Sequence, residues 1–287
     1  MFRHRRFVLI FGLIVFVLII RKRSDRCVES NREFYLNIVY IKELNVLYCD
    51  VPKAASTNLR RVLLVRLNQT NNFDDLDRKQ IWIDQKRFFE KYYLTRHSQD
   101  LFDNENILKF IIVRHPFRRI SSVYNDKFVN NHFDDTLSGW KQLEEEILVE
   151  MKTNESRLTI RRNEIRLDFR TFVLYIIKSI AENRSINSHW ERISSRCGFC
   201  SLRFNSIIKI ENFENDQQIL MKYLTANQLN FPSKELDSNS NKQQQSLDDY
   251  QVFELFRTTI DNDQQFRILI DYYRTDFQLF KYVLPQI

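Results

Sequence analysis

The sequence predicts an α/β domain built on a central, mostly parallel sheet flanked by helices, and three observations carry that reading. Two short apolar, β-branched runs, Val46–Val51 and Leu108–Val113, suit strands buried on both faces. Each is followed by a segment with helix-like spacing. Phe169, Phe172, Val173, Ile176, Ile177 and Ile180 then recur at i, i+3, i+4 and i+7, the stripe of an amphipathic helix. Strands alternating with helices give a largely parallel sheet, and such sheets bind ligands beyond the carboxyl ends of their strands. Ile207–Ile210 is a third, weaker strand candidate.

The chain has 287 residues, 43% hydrophobic and 28% charged, which excludes a disordered protein and leaves material for a sizeable core. Three Gly and four Pro exclude collagen, and argue against a turn-rich sandwich or a glycine-rich dinucleotide loop. The formal net charge of +7 comes almost entirely from Arg3, Arg5, Arg6, Arg21, Lys22 and Arg23. Outside that cluster basic and acidic side chains nearly balance, so no nucleic-acid footprint covers the body.

Those six cations bracket the apolar run Phe7–Ile20. As a helix it spans roughly 21 Å, shorter than a hydrocarbon core of about 30 Å. Flanking Arg and Lys can snorkel, and early secretory membranes are thinner. A cleaved signal peptide lacks a small-residue cleavage site here, because RKRSD follows directly. The expectation is a signal-anchor: a short cytosolic tail (1–6), one N-terminal transmembrane helix (7–20), a stem (21–45) and a luminal body (46–287). Sequons at Asn68, Asn154 and Asn183 and an even number of cysteines (Cys27, Cys49, Cys197, Cys200) fit a luminal body. No internal repeat is visible, and Asp237–Asp248 reads as a polar loop.

Two strand-to-helix junctions carry chemistry. In CDVPKAASTNLRRVLL (Cys49–Leu64) a strand ends at Val51, and a helix is predicted to begin near Thr57 or Asn58. The small residues Ala54, Ala55 and Ser56 allow close approach of backbone N–H groups, and a helix start attracts an anion. Lys53, Ser56 and Thr57 add donors. The layout is that of a Walker A loop without its GK[ST] element. On its own the segment also fits an ordinary N-capped helix bearing a surface lysine. In IIVRHPFRRISSVYNDKF (Ile111–Phe128) a strand ends at Arg114 and Pro116 opens the next helix. Arg114 and Ser122 can grip a second phosphate; Arg118 and Arg119 could do likewise but read rather as a solvated face. Two such sites on one sheet suggest a nucleotide with phosphates at both ends.

These residues carry a resemblance. VPKAASTNLRRVL resembles the 5′-phosphosulfate loop of the Golgi carbohydrate sulfotransferases related to the chondroitin 4-O-sulfotransferases. VRHPFRRISSVYNDKF resembles their 3′-phosphate motif, with Arg114 and Ser122 at its eight-residue spacing. HWERISSRCGFC (His189–Cys200), IIKIENFEND (Ile207–Asp216) and YYRTDFQLFKY (Tyr272–Tyr282) match further family segments in order, so the similarity covers roughly residues 46–282. The chain departs from the pattern at Ser56, usually Cys, at Leu59, commonly Trp, and at His115, often Asp or Glu.

The resemblance implies a P-loop-like sulfotransferase fold for 46–287, a type II Golgi membrane protein, and transfer of a sulfuryl group to a glycan hydroxyl. It implies 3′-phosphoadenosine 5′-phosphosulfate (PAPS) as donor, a glycosaminoglycan-like acceptor such as chondroitin, and no need of a metal. Pro52, Lys53, Ala54, Ala55, Ser56, Thr57 and Asn58 would hold the 5′-phosphate, with Lys53 on the leaving oxygen, while Arg114 and Ser122 hold the 3′-phosphate. The attacking hydroxyl needs a proton acceptor. His97, between the donor motifs, ranks slightly ahead of His189, with Glu211 third; His115 is expected to face the donor. His189, Cys197 and Cys200 could instead be zinc ligands, but a fourth at suitable spacing is missing. A disulfide, either Cys197–Cys200 or one reaching Cys49, suits the lumen better. The competing functions are a phosphoryl-transfer enzyme, disfavoured by the missing GK[ST], and a catalytically silent anchored lectin, disfavoured by intact Lys53, Arg114 and Ser122.

Overall fold

A computed structural model describes residues 33–69, 88–130, 139–151, 166–213, 216 and 248–285. The anchor at 7–20, the sequon at Asn154 and most of the polar loop 237–248 lie outside them. Among the described residues no helix is long and apolar enough to cross a membrane.

Four strands form one sheet in the order β1 (Ile38–Ile41), β2 (Val46–Cys49), β3 (Leu108–Val113), β4 (Ser206–Lys209). β2, β3 and β4 run parallel, with Val46 opposite Leu108 and Phe110 opposite Ser206. β1 pairs antiparallel with β2, which makes the sheet mixed. β1 lies within the segment expected to be stem. Its turn into β2 ends on Asn45 in the left-handed region (φ 52°), a conformation asparagine tolerates. β2 and β3 are buried along their whole length, as continuous apolar runs require. β4 begins one residue before the predicted run.

The helices are α1 (Ser56–Arg66), α2 (Gln99–Asp103), α3 (Pro116–Tyr124), α4 (Trp140–Met151), α5 (Phe169–Ala181), α6 (Ile193–Arg196), α7 (Asp249–Ile260) and α8 (Asp263–Leu279). α5 coincides with the predicted stripe, and its N-cap Asp168 accepts the Thr171 N–H at 2.8 Å. One core gathers Leu59, Val62 and Leu63 of α1 with sheet residues of both faces, among them Leu47, Ile111 and Ile208. α3, α5, α7 and α8 enclose a second, rich in aromatics, where Phe117 stacks on Phe256 at 4.5 Å and Phe172 meets Trp190 edge-on at 5.2 Å.

Two connections matter for the site. A disulfide joins Cys49, the last residue of β2, to Cys197 just after α6, and Cys200 is also disulfide-bonded. This selects the bridge reaching Cys49 over a Cys197–Cys200 pair and takes both thiols away from any zinc set. Gly198 follows at φ +56°, where a Cβ would stand 2.2 Å from the Phe34 ring, so only glycine lets this turn close on the residues before β1. The parallel register of β2 and β3 brings both phosphate-type junctions to the same edge of the sheet.

Candidate active site

The loop leaving β2 is held in two unfavourable backbone conformations. Lys53 (φ 65°) and Ala55 (φ 57°) are both left-handed, and neither is glycine. Such positions cost about 1–3 kcal/mol each and cluster at ligand clamps. Ala55 is the N-cap of α1 and has no side chain able to cap, so it leaves the first-turn N–H groups of Ser56, Thr57 and Asn58 to other acceptors. α1 begins at Ser56, slightly earlier than predicted. The base of the loop is fixed by Asp50, whose carboxylate accepts from Arg60 at 2.6 Å and the Tyr93 hydroxyl at 2.5 Å. Its carbonyl accepts from Arg196 at 3.1 Å.

The second junction meets the first. Arg114, one residue past β3, donates to the Lys53 carbonyl at 3.3 Å, so the two predicted anion-binding segments share one wall. Pro116 opens α3, and Ser122 lies six residues on, buried in that helix. α3 runs on into a π turn, Asn125–Val129, a distortion often found at functional sites. That turn carries two residues the sequence reading passed over. Asp126 forms ion pairs with Lys53 at 3.1 Å and Lys127 at 3.0 Å through the same oxygen. Burial pushes Lys53 down to about 8, with Lys127 and Arg114 acting in the same direction and Asp126 opposing them. Burial raises Asp126, but the two ammonium groups outweigh it and hold the carboxyl at about 2. The DKF ending of the second motif was the available signal, but no rule of spacing joins it to Lys53.

The four histidine and glutamate candidates separate. His189 stands edge-on to Trp140 at 4.8 Å, and Lys127 lies over the same indole at 5.2 Å. Burial, then the charges of Lys127 and Lys53, push its imidazole down to about 3. Its Nδ1 lies 3.0 Å from the Asn187 Oδ1; an amide oxygen only accepts, so Nδ1–H donates to it and the Nε2 lone pair is the basic site. His97 is exposed and edge-on to Phe34 at 6.0 Å and Phe102 at 5.0 Å, in an aromatic cluster beside β1. The structure therefore brings His189, and not His97, to the lysine pair.

His115 does not face the donor loop. It is wholly buried among Phe117, Phe253, Phe277 and Tyr282, with neither ring nitrogen hydrogen-bonded among the described residues, and burial pushes it down to about 3. A neutral imidazole is the only form that environment accepts. Glu211 accepts the His115 N–H at 2.8 Å and the Tyr282 hydroxyl at 2.9 Å, which makes it a clamp between β4, α3 and the chain's end. The solvated-face expectation for Arg119 also fails: its side chain is fully buried and donates to the Glu191 carbonyl. Arg118 pairs with Asp249 at 3.4 Å.

The segment bearing His189 is held from α8. Buried Asp276 accepts the backbone N–H groups of Ile193 at 2.7 Å and Ser194 at 2.9 Å, capping α6, and Tyr273 donates to the Trp190 carbonyl. The motif residues near the carboxyl end thus position the histidine motif. No group of three or more metal-ligating side chains occurs among the described residues.

Comparison with known proteins fits this arrangement. The sequence profile of the sulfotransferase family matches residues 36–283, which takes in β1 and both junctions. The chain belongs to that family. Its relatives include mouse (Mus musculus) carbohydrate sulfotransferase 8, 26% identical over 92% of this chain and 60% of the relative. Carbohydrate sulfotransferase 11 from Rattus norvegicus is 24% identical over 87% of this chain and 68% of its own length. Human (Homo sapiens) carbohydrate sulfotransferase 9 is 23% identical, over 86% and 53%. The chain spans about half to two thirds of the length of these relatives. No solved structure matches it.

Proposed function

We propose that this chain transfers a sulfuryl group from PAPS to a hydroxyl of a glycan, with a glycosaminoglycan-like chain such as chondroitin as the acceptor class. The observation that carries the reading is the hydrogen bond from Arg114 to the Lys53 carbonyl, which joins two anion-binding junctions into one cradle. The resident groups fit a doubly phosphorylated nucleotide: an uncapped helix start, a partly buried lysine and an arginine at adjacent strand ends. Such a donor supplies an activated sulfuryl group on a phosphate that leaves as an anion.

In this reading the N–H groups from Ala54 to Asn58 bind the 5′-phosphate beside Pro52, and Arg114 with Ser122 binds the 3′-phosphate. Lys53 stabilises the charge that grows on the leaving oxygen. His189 accepts the acceptor's proton through Nε2; burial, then the cations around it, keep it neutral, and a bound anionic donor offsets their field and raises its basicity. We assign the base to His189 over His97 on its position beside Lys127 and Trp140. The apolar run at 7–20 and the Cys49–Cys197 disulfide support a Golgi membrane protein with a luminal body, because such bridges persist in oxidising compartments.

The test uses the full chain in detergent with radiolabelled PAPS and a panel of desulfated glycans. Label on a glycan supports the proposal. ATP-dependent phosphoryl transfer without sulfate transfer, or glycan binding with no transfer to any acceptor, overturns it.

A further inference from the structure

We propose that Asp126 is the positioning residue of the donor site: it fixes the Lys53 ammonium through one carboxylate oxygen and ties Lys127 to the same point. The inference rests on the sulfotransferase reading of the site for its purpose, but on geometry for its content. Lys53 projects from a left-handed loop residue, where no helix or strand dictates its side-chain direction. Asp126 comes from the π turn after α3, on the other wall, and meets it at 3.1 Å. An ammonium has three donors, so one ion pair leaves two for the leaving oxygen of a donor. The carboxylate oxygen is also 3.0 Å from Lys127, whose side chain is 7% exposed against 16% for Lys53.

The electrostatic role follows from the neighbours on every side. Lys127, from the π turn, and Arg114, from the end of β3, repel the Lys53 charge; His189, from the segment before α6, is neutral; Asp126 is the counter-charge. Burial works against the charged form as well. Without Asp126, Lys53 loses the group that keeps it protonated near pH 7 and joins three unfavourable influences. Lys127 has the opposite sign: removing it leaves Asp126 wholly to Lys53 and takes away a repelling charge.

The test titrates Lys53 in the full chain by following amine acylation with peptide mass spectrometry from pH 6 to 10. The wild type should show an inflection near 8. Asp126→Asn should lower it by about one pH unit or more, Asp126→Glu should restore most of the shift, and Lys127→Met should raise it. Where sulfate transfer is measured, the alkaline limb of kcat/KM for PAPS should move in the same directions. An inflection unmoved in folded Asp126→Asn overturns the proposal. Should that variant fail to fold, an inflection unmoved or lowered in Lys127→Met overturns it instead. The acylation needs neither donor nor acceptor, so a chain that transfers no sulfate still answers the question about Asp126.

Discussion

In the proposed reading Lys53 and Arg114 share a wall but have different tasks, and their variants should separate. A fixed cation aimed at developing charge is worth on the order of 10²–10³ in rate, so Lys53→Ala should lower kcat by about that factor with a smaller change in the KM for PAPS. Arg114→Ala should mainly raise that KM. Equal effects of both changes on both constants would refute the division of roles. The two histidines give a second contrast. His189→Ala should abolish most turnover, while His97→Ala, which removes an exposed ring against the buried Phe34 and Phe102, should retain it; the reverse order would return the base to His97. His115 gives a stability prediction. Its ordinary value is 6.5 and burial holds it at about 3 in the fold, so the unfolded chain binds an extra proton between those limits. Stability contributed by the neutral ring is therefore complete above about 6.5 and declines as pH falls towards 3. His115→Leu should flatten the fall in denaturation midpoint between pH 6 and 4. Asp126 cannot mimic this, because its depressed carboxyl acts only below 3.8. An unchanged slope in the variant would mean that other groups set the acid limit.

At the scale of elements, what was legible in the sequence depended on whether the signal was local. β2 and β3 are apolar runs long enough to be read directly, and α5 announces itself through its stripe. β1 was not legible: four residues on an antiparallel edge, beside a stretch of charge, look like stem until β2 pairs with them. Lys53 and Arg114 were legible as candidate anion-binding cations because they stand next to strand ends. The pairing of Lys53 with Asp126, and the choice of His189 over His97, depend on contacts between distant parts of the chain, which no periodicity encodes. The same holds for α8 capping α6. Asp276 is buried, and its carboxylate satisfies two backbone donors. Removing it leaves both N–H groups without their acceptor, at about 1–3 kcal/mol each. Asp276→Ala should therefore destabilise the fold by about 2–6 kcal/mol in denaturant titration and lower kcat through the displaced His189 segment. A stable variant with normal kcat would show that α6 is held by packing alone.

For the molecule as a whole, the Cys49–Cys197 bridge is a long-range constraint, because it joins residues 148 apart in sequence. The loop it closes contains β3 and both anion-binding junctions, while β1, β4, α7 and α8 lie outside it. Closing a loop of that size removes about 5 kcal/mol of unfolded-state entropy in the chain-entropy account, and loss of a native bridge commonly costs 2–5 kcal/mol. The bridge also lies four residues before Lys53 and eight after His189, so it ties together the two segments that carry the proposed cation and base. These two consequences can be told apart. Replacing both cysteines by alanine (Cys49→Ala with Cys197→Ala) should lower stability by about 2–5 kcal/mol, and activity should fall at temperatures where circular dichroism still reports a folded chain. Both cysteines are nearly inaccessible, at 3% and 0% exposure, so reductant added to the folded wild type should leave activity intact until unfolding begins. If the double variant lost activity only along its unfolding curve, the bridge would act on stability alone, and the spacing of Lys53 and His189 would have to be set by the sheet and by the grip of α8 on α6.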